Sequence, residues 1–251
     1  MEPFFFGAGT SRLLGLYHPP SGAGSSIGVL ICPPILGDYM RTHGCLRQLA
    51  LNLAAKGCHV MRFDYSGTGD SSGGLEHADI ETWCKDIELA LAELRDISGA
   101  TQLIVIGVRL GASLALLATQ TVNGIHKLVL WDPVLSGPDY LSHLKGTYQN
   151  LIASHDMLPP EEATEAQARL TGYDLSDNLV NGIHAIQIGQ QSFNQNCDIS
   201  LLTTDQKLFD SGRCQAMFKD CRFVDYDCQW STYSESIIFG QPIISVLTDA
   251  L

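Results

Sequence analysis

The segment of residues 103–112 places an arginine where a reacting side chain is expected. Its apolar run predicts a buried strand that turns sharply into a helix, with Arg109 at the turn between Gly107 and Gly111. In the pattern G-x-S-x-G, the central serine stands on such a strained turn, exposed at the top of a sheet and aimed at the substrate. A guanidinium is permanently cationic and cannot attack a carbonyl. The spacing therefore predicts a reactive position whose usual nucleophile is replaced by a cation.

The other two groups of a nucleophilic triad are a histidine base and an acid that orients it. In the chain order nucleophile, acid, histidine, the base follows the last strand of the sheet. The eight histidines are His18, His43, His59, His77, His126, His143, His155 and His184. The last predicted strand is residues 222–226, and the loop after it therefore contains no histidine. Because losing nucleophile and base lowers kcat on the order of a millionfold, ordinary ester hydrolysis is not expected.

Two carboxylates are candidates for the acid position and for the partner of Arg109. Asp205 follows the predicted strand 199–203, and Asp132 ends the preceding core strand. Both are expected to project towards Arg109 across the top of the sheet. A buried arginine without a partner is strongly destabilising, so a carboxylate beside it is expected. Two interpretations stay open: a structural ion pair, and an anion clamp in which one carboxylate orients Arg109.

The anion clamp has a physical basis in the helix that follows Arg109. The N-terminus of this predicted helix has free N–H groups, and its dipole favours an anion. The guanidinium adds a planar donor fork that suits carboxylate or phosphate. The N–H of Leu110 and a donor near Ile35 or Leu36 could also form an oxyanion hole. The site is predicted to bind a carboxylate, a phosphate ester or a polarised acyl carbonyl, either free or attached to a carrier.

Two further residues are weaker candidates for ligand contacts. His43 follows the loop at residues 33–37 and could face the pocket, with a capping or surface role as the alternative. Trp230 lies in the loop after the last predicted strand and is the second candidate. The chain shows no metal-ligand spacing of His, Cys, Asp and Glu, and no G-x-G-x-x-G after a strand. Neither a metal nor an organic cofactor is expected.

Strands and helices alternate along most of the chain. Apolar strands are predicted at residues 27–32, 59–64, 103–107, 128–131, 183–188, 199–203 and 222–226. Near-continuous apolar strands separated by helices predict the α/β class, with a mostly parallel central sheet flanked by helices on both faces. After Asp132 and Pro133 the alternation breaks. Residues 137–182 are predicted to be a helical cap inserted between two core segments, residues 1–136 and residues 183–251.

Length and composition restrict the class of protein. A chain of 251 residues suits one large α/β domain. Its net charge of −12 argues against nucleic acid and against anionic membranes, since both require basic patches. No segment approaches the ~18 apolar residues of a membrane span, the N-terminus does not read as a signal peptide, and the eight scattered cysteines are typical of reduced thiols. We expect a cytoplasmic protein with a small-molecule ligand and infer nothing about its oligomeric state.

Four segments carry a resemblance to a known family. They are residues 3–6 with 17–20, residues 63–71 (FDYSGTGDS), residues 107–112 (GVRLGA) and residues 130–137 (LWDPVLSG). These residues resemble the α/β-hydrolase superfamily in its serine-aminopeptidase-like branch, and within it the exosortase-A-system-associated hydrolases of the second type. The resemblance implies an α/β-hydrolase fold, an arginine that is not an isolated substitution, and a polysaccharide-export or secondary-metabolite context with undefined substrates.

Two functions stay open at this point. The leading hypothesis is a non-serine member of the superfamily that binds an acyl or anionic metabolite and processes it by electrostatic positioning. The competing hypothesis is a non-catalytic binding or scaffolding protein that keeps the pocket and has lost the chemistry. A pocket that Arg109 reaches favours the first, and an arginine sealed against Asp132 or Asp205 favours the second.

Overall fold

A computed structural model describes most of the chain. The described residues are 1–9, 11–22, 24–120, 122–154, 172–189, 197–230, 238 and 240–249. One central sheet runs through this part of the molecule, and helices cover both of its faces.

Within the described residues, eight strands form the sheet. They are β1 (Glu2–Ala8), β2 (Ser11–His18), β3 (Ile27–Cys32), β4 (His59–Phe63), β5 (Gln102–Val108), β6 (Ile125–Trp131), β7 (Asp198–Thr203) and β8 (Asp220–Phe223). Their order across the sheet is β1-β2-β4-β3-β5-β6-β7-β8. The pairs β1/β2 and β2/β4 are antiparallel, and every other pair is parallel. The predicted α/β class and mostly parallel sheet are confirmed.

The described helices lie between and after these strands. They are α1 (Leu36–Ala55), α2 (Ile80–Ser98), α3 (Leu110–Ala118), α4 (Gly137–Ser154), α5 (Asp177–His184), α6 (Gln206–Asp210), α7 (Arg213–Met217) and α8 (Gln241–Asp249), with a short 3₁₀ turn at Leu75–His77. None of them is long and apolar enough to cross a membrane.

The two faces of the sheet have separate cores, because successive side chains of a strand point to opposite faces. On β3, Leu30 packs with the apolar stripes of α2 and α3. Its neighbours Val29 and Ile31 pack instead with α1 and α8. Both faces are therefore buried, which explains why the central strands are apolar without alternation.

One predicted strand, residues 183–188, is wrong. Helix α5 continues to His184, and afterwards only Gln187 forms an isolated bridge, with Ser136. Leu179 and Ile183, four residues apart, form a buried helical stripe, and the Ser176 side chain caps the helix by accepting from the Leu179 N–H. His184 is therefore at a helix end rather than at the start of a core strand.

The predicted insertion begins where α4 begins, at residue 137. Its predicted end, at residue 182, falls inside α5. Residues 155–171, which make up much of the predicted cap, lie outside the described residues. The extent of the cap stays a prediction.

Candidate functional site

Arg109 lies on a strained turn between β5 and α3, with φ 53° and ψ −124°. The two glycines around it are required by close packing. A Cβ at Gly107 would collide with the backbone of Ala112, and one at Gly111 would collide with the carbonyl oxygen of Pro33. The helix can therefore approach the strands closely, and the turn presents the side chain of Arg109 at the carboxyl edge of the sheet. The strand-to-helix turn predicted from the sequence is confirmed.

Backbone strain concentrates at this edge. The non-glycine residues with positive φ among the described residues are Leu36, Arg109, Asp132 and Gln229. Arg109, Asp132 and Gln229 line one cavity, and Leu36 begins the helix that carries the ion-pair partner of Arg109. Strained backbone persists only where the surrounding structure holds it, and such residues cluster at functional sites. The strained backbone and the sequence motif therefore indicate the same candidate site, around Arg109.

The carboxylate partner of Arg109 is Asp38, in the first turn of α1. Its Oδ2 lies 3.4 Å from the guanidinium Nε, and the two side chains are 10% and 14% exposed, respectively. The Nη1 of Arg109 donates to the backbone oxygen of Asp132 at 3.3 Å. The guanidinium carbon also lies 5.0 Å from the ring centre of Trp230 and 5.6 Å from that of Tyr140. These contacts orient the cation without burying it fully.

The expectation that Asp132 or Asp205 pairs with Arg109 is wrong. Asp132 is 4% exposed, and its carboxylate accepts hydrogen bonds from the Thr203 hydroxyl, from the N–H and hydroxyl of Thr204, and from the indole N–H of Trp230, at 2.6–2.9 Å. Asp205 is exposed and caps α6 by accepting from the Leu208 N–H at 3.0 Å. Each carboxylate is used locally, so Arg109 takes its partner from α1.

A cavity of about 480 Å³ opens beside Arg109. The described residues that line it are Arg109, Asp132, Pro133, His143, Thr204, Asp205, Gln206, Lys207, Leu208, Asp227, Cys228, Gln229 and Trp230. The structure therefore brings together Arg109, Asp132, Asp205 and Trp230, four of the residues singled out in the sequence. An adjoining cavity of about 230 Å³ is also lined by Arg109 and His143, and by Tyr140.

His143, which the sequence did not single out, reaches the cavity from α4. Its Nε2 lies 2.7 Å from the carbonyl oxygen of Trp230. Because a carbonyl only accepts, Nε2 carries the proton and Nδ1 is the acceptor. Burial lowers the pKa of His143, and the positive charge of Arg109 lowers it further. A neutral imidazole is therefore held next to the cation at neutral pH.

Tyr140 lies one turn before His143 on α4, and its side chain is 4% exposed. Its hydroxyl has no hydrogen-bond partner among the described residues. Burial raises the pKa of Tyr140, as does the negative charge of Asp38, so the phenol keeps its proton. Tyr140 lines the second cavity, but its unpartnered hydroxyl is itself buried in the protein.

Four other residues were predicted to contact the ligand, and none of them is among the described residues that line the cavity of Arg109. They are Ile35, Leu36, His43 and Leu110. Ile35 is buried ahead of α1, and Leu36 is the first residue of that helix. Leu110 has a fully buried side chain, and as the first residue of α3 it carries one of the amides that a helix leaves without an intrahelical partner. His43 lines a separate space of about 10 Å³, and burial lowers its pKa.

The described residues contain no group of three or more His, Cys, Asp or Glu side chains placed to hold a metal ion. Cys32, at the end of β3, is fully buried, and burial raises the pKa of its thiol. This cysteine is therefore a core residue and not an activated thiol.

Solved structures of low sequence identity share this fold. An α/β serine hydrolase homologue from Coxiella burnetii is 14% identical, with a TM-score of 0.58 over 100% of this chain and 97% of its own. An α/β hydrolase from Sphaerobacter thermophilus is 16% identical, with a TM-score of 0.60 over 95% of this chain and 96% of its own. The bottromycin epimerase BotH, solved with bottromycin A2, is 14% identical, with a TM-score of 0.60 over 100% and 98%. At these identities, the likeness establishes the fold alone.

A search of curated protein sequences found no significant match. Residues 38–195, more than half of the 251-residue chain, match the family described as serine aminopeptidase, S33. This segment contains α1 from Asp38 onwards, the Arg109 turn, Asp132 and helices α4 and α5. The chain therefore belongs to the serine aminopeptidase S33 family of α/β hydrolases.

Proposed function

We propose that this protein is a non-serine member of its family, whose cavity binds a small acyl or anionic metabolite at Arg109. The observation that carries the proposal is the position of Arg109. It stands on the strained turn where G-x-S-x-G would present a nucleophile, and it lines an open cavity of about 480 Å³. A cation on a preorganised turn stabilises negative charge on a ligand without attacking it.

The other groups of the site support roles in binding and positioning. Arg109 contacts the ligand, and the first-turn amide of Leu110 is a candidate oxyanion donor beside it. Asp132 holds Trp230 and Thr204 in the cavity wall through its hydrogen bonds. Asp205 lines the rim of the cavity. None of these roles requires a covalent acyl-enzyme.

A non-catalytic binding or scaffolding protein is the second candidate function. It is favoured by the absence of any histidine after position 184, which leaves the region after β8 without the base of a triad. The fold neighbour BotH is described as an epimerase, so this architecture is not restricted to hydrolysis. The motif GVRLGA supports the exosortase-associated subgroup, with a ligand from polysaccharide export or secondary metabolism.

Binding and turnover separate these functions. Of the three tryptophans, Trp83 and Trp131 are fully buried, whereas Trp230 lines the cavity, so its emission reports ligand binding. We would titrate a panel of short acyl esters and thioesters into wild type and Arg109→Ala, and follow product release in the same samples. Arg12→Ala is the control, because Arg12 is an exposed residue of β2 and is not among the residues that line the cavity.

Saturable binding that Arg109→Ala abolishes and Arg12→Ala retains is the expected result. Turnover that disappears with Arg109 would identify an enzyme. Binding without turnover would identify a binding protein. Equal binding by wild type and Arg109→Ala would contradict the proposal.

A further inference from the structure

An imidazole lies at the loop after β8, although no histidine follows position 184 in the sequence. It belongs to His143, which reaches this loop from α4 and donates from its Nε2 to the carbonyl oxygen of Trp230 at 2.7 Å. The loop after the last strand is where the histidine of a triad is expected. The structure therefore brings a histidine to this region from a different element of the chain.

The second ring nitrogen of His143 is open to the cavity. Because Nε2 donates to a carbonyl, it carries the proton and Nδ1 has the lone pair. Nδ1 has no hydrogen-bond partner among the described residues, and it is not one of their buried unpartnered polar atoms. His143 lines both the cavity of about 480 Å³ and the adjoining cavity of about 230 Å³. A ligand in this space can therefore meet Nδ1, while the Trp230 carbonyl fixes the tautomer and the orientation of the ring.

A neutral imidazole and a fixed cation share this space. Burial lowers the pKa of His143, and the positive charge of Arg109 lowers it further, so Nδ1 is unprotonated at neutral pH. Arg109 lines the same two cavities. Its guanidinium is always charged and stabilises negative charge that forms beside it. Together, the two residues can remove a proton from a ligand and stabilise the anion that is left.

The weak basicity of His143 restricts the group that it can deprotonate. A base of lower pKa transfers a proton efficiently only from a more acidic group. A C–H bond next to a ketone is more acidic than one next to an ester or an amide, because the oxygen or nitrogen of those groups donates electrons into the carbonyl. The resulting enolate has its charge on an oxygen, which suits a guanidinium. A ketone is therefore the ligand group that fits this base and this cation.

We propose that His143 is the general base of an enolisation reaction, in which a carbon next to a ketone group of the ligand loses a proton to Nδ1 and Arg109 stabilises the enolate. The C–H bond breaks, an N–H bond forms at Nδ1, and the electron pair of the C–H bond is delocalised onto the carbonyl oxygen. Return of a proton to carbon regenerates the ketone and the neutral imidazole, without an oxidant or a reductant. This inference rests on the proposed function and gives it a reaction and a substrate class.

Exchange of carbon-bound hydrogen with solvent measures this step directly. Butanone and 2-oxobutanoate have the same methylene group beside a ketone and differ in charge. Each is incubated in D₂O with wild type, His143→Gln, Arg109→Ala and His126→Gln, and the methylene signal is followed by proton NMR. His143→Gln keeps a donor for the Trp230 carbonyl and has no basic nitrogen. His126→Gln is the matched control, because His126 is exposed and is not among the described residues that line the two cavities.

Wild type should exchange the methylene hydrogen of the preferred ketone about a hundredfold faster than His143→Gln, which is the usual contribution of a general base. Arg109→Ala should also lose about a hundredfold, because the enolate lacks its cation. His126→Gln should match wild type. A second readout uses wild type alone, so that an unstable variant does not affect it. A base on one side of a bound ketone removes one of the two methylene hydrogens, so the singly deuterated ketone should accumulate, whereas buffer exchanges both.

Binding of the ketones, followed in the same samples by saturation-transfer NMR, separates the failures. Binding that requires Arg109, without exchange above the rate in buffer, would overturn this inference and keep the proposed function. Equal exchange by wild type and His143→Gln would overturn the role of His143. Absence of both binding and exchange, in folded wild type, would overturn the ketone as substrate class, and the titration of esters and thioesters then decides on the proposed function.

Discussion

Two polar clusters beside Arg109 differ in how completely their hydrogen bonds are formed. In the Asp132 cluster, the carboxylate of Asp132 accepts four hydrogen bonds, from Thr203, Thr204 and Trp230. On the α4 face, Tyr140, His143 and Thr147 are spaced by three and four residues and so share one side of the helix. There the hydroxyls of Tyr140 and Thr147 are buried without partners among the described residues.

The difference separates structure from function. A buried polar group that is fully hydrogen-bonded rigidifies the fold, whereas one left unsatisfied is destabilising by about 1–3 kcal/mol and requires a reason. The Asp132 cluster ties β6, β7 and the loop after β8 together. Within the described part of the chain, the α4 face is linked to these elements by the hydrogen bond of His143 to the Trp230 carbonyl. We therefore expect substitutions in the first cluster to affect folding and those in the second to affect binding.

The largest effect is expected for Asp132→Ala. It leaves two hydroxyls, an amide N–H and an indole N–H without an acceptor, and should lower the free energy of unfolding by about 3–5 kcal/mol. Urea denaturation measures this change, with an unaltered m-value showing that the denatured state is the same. Asp132→Asn, which keeps two acceptor lone pairs, is the matched control and should lose less. A loss below about 1 kcal/mol for Asp132→Ala would mean that the cluster does not support the fold.

Asp38→Ala tests whether the contacts of Arg109 stabilise the fold, as those of the Asp132 cluster do, or leave the fold largely unaffected, as those of the α4 face do. Removing one partner of a mostly buried pair leaves an uncompensated charge. Because the pair is long, at 3.4 Å, and both side chains retain some exposure, we expect a loss of about 2 kcal/mol, below the range for fully buried pairs. Arg109→Ala in the same background should recover part of this loss in a double-mutant cycle. Additive losses would show that the ion pair contributes nothing.

The sequence predicts the parts of this site that follow from the order of the strands, and it does not predict the parts that depend on how helices pack. Arg109, Asp132 and Asp205 follow parallel strands, whose carboxyl ends meet at one edge, so their proximity could be predicted from the order of elements. Asp38 and the α4 residues come from helices, and the approach of a helix to the edge depends on tertiary packing that periodicity does not encode. Asp38 had one local signal, its position as an acid in the first turn of α1.

The errors in the fold have the same origin. The short apolar run around residues 183–188 fits a strand or a helix equally well, and the cap at Ser176 and the helical spacing of Leu179 and Ile183 decide for helix α5. The N-terminal hairpin of β1 and β2 was not predicted either. Its strands pair with each other and with β4 in antiparallel registers. The pairing of β2 with β4 is long-range and depends on the whole sheet, whereas β1 and β2 are neighbours in sequence, with Ala8 paired to Ser11.

Tyr140→Phe is expected to stabilise the protein, which is unusual for a substitution in a buried position. The substitution removes a buried hydroxyl that has no partner and should raise the free energy of unfolding by up to about 1 kcal/mol. Tyr39→Phe is the matched control, because the hydroxyl of Tyr39 donates to Asp64 at 2.8 Å and its loss should be destabilising by about 1 kcal/mol. Both variants are compared by thermal and urea unfolding. A destabilised Tyr140→Phe would show that the hydroxyl is satisfied in solution, and the contrast between the two clusters would fail.

The smallest effect concerns His143, which links the clusters by donating from α4 to the carbonyl of Trp230. Burial, and then the charge of Arg109, lowers the pKa of His143 in the folded state below the unfolded value of about 6.5. Below that pH the unfolded chain binds more protons than the native protein, so this residue's contribution to stability is present above pH 6.5 and is lost as the pH falls through the window just below it. The slope of unfolding free energy against pH between 7.5 and 5.5 should therefore be smaller in His143→Gln than in wild type.

His18 and His43 also have lowered pKa values, but they are present in both proteins and cancel in the difference. A slope that is unchanged, or an NMR titration of His143 at or above the unfolded value, would mean that the imidazole is not held in its neutral form beside Arg109. The α4 face would then carry a positive charge beside that of Arg109.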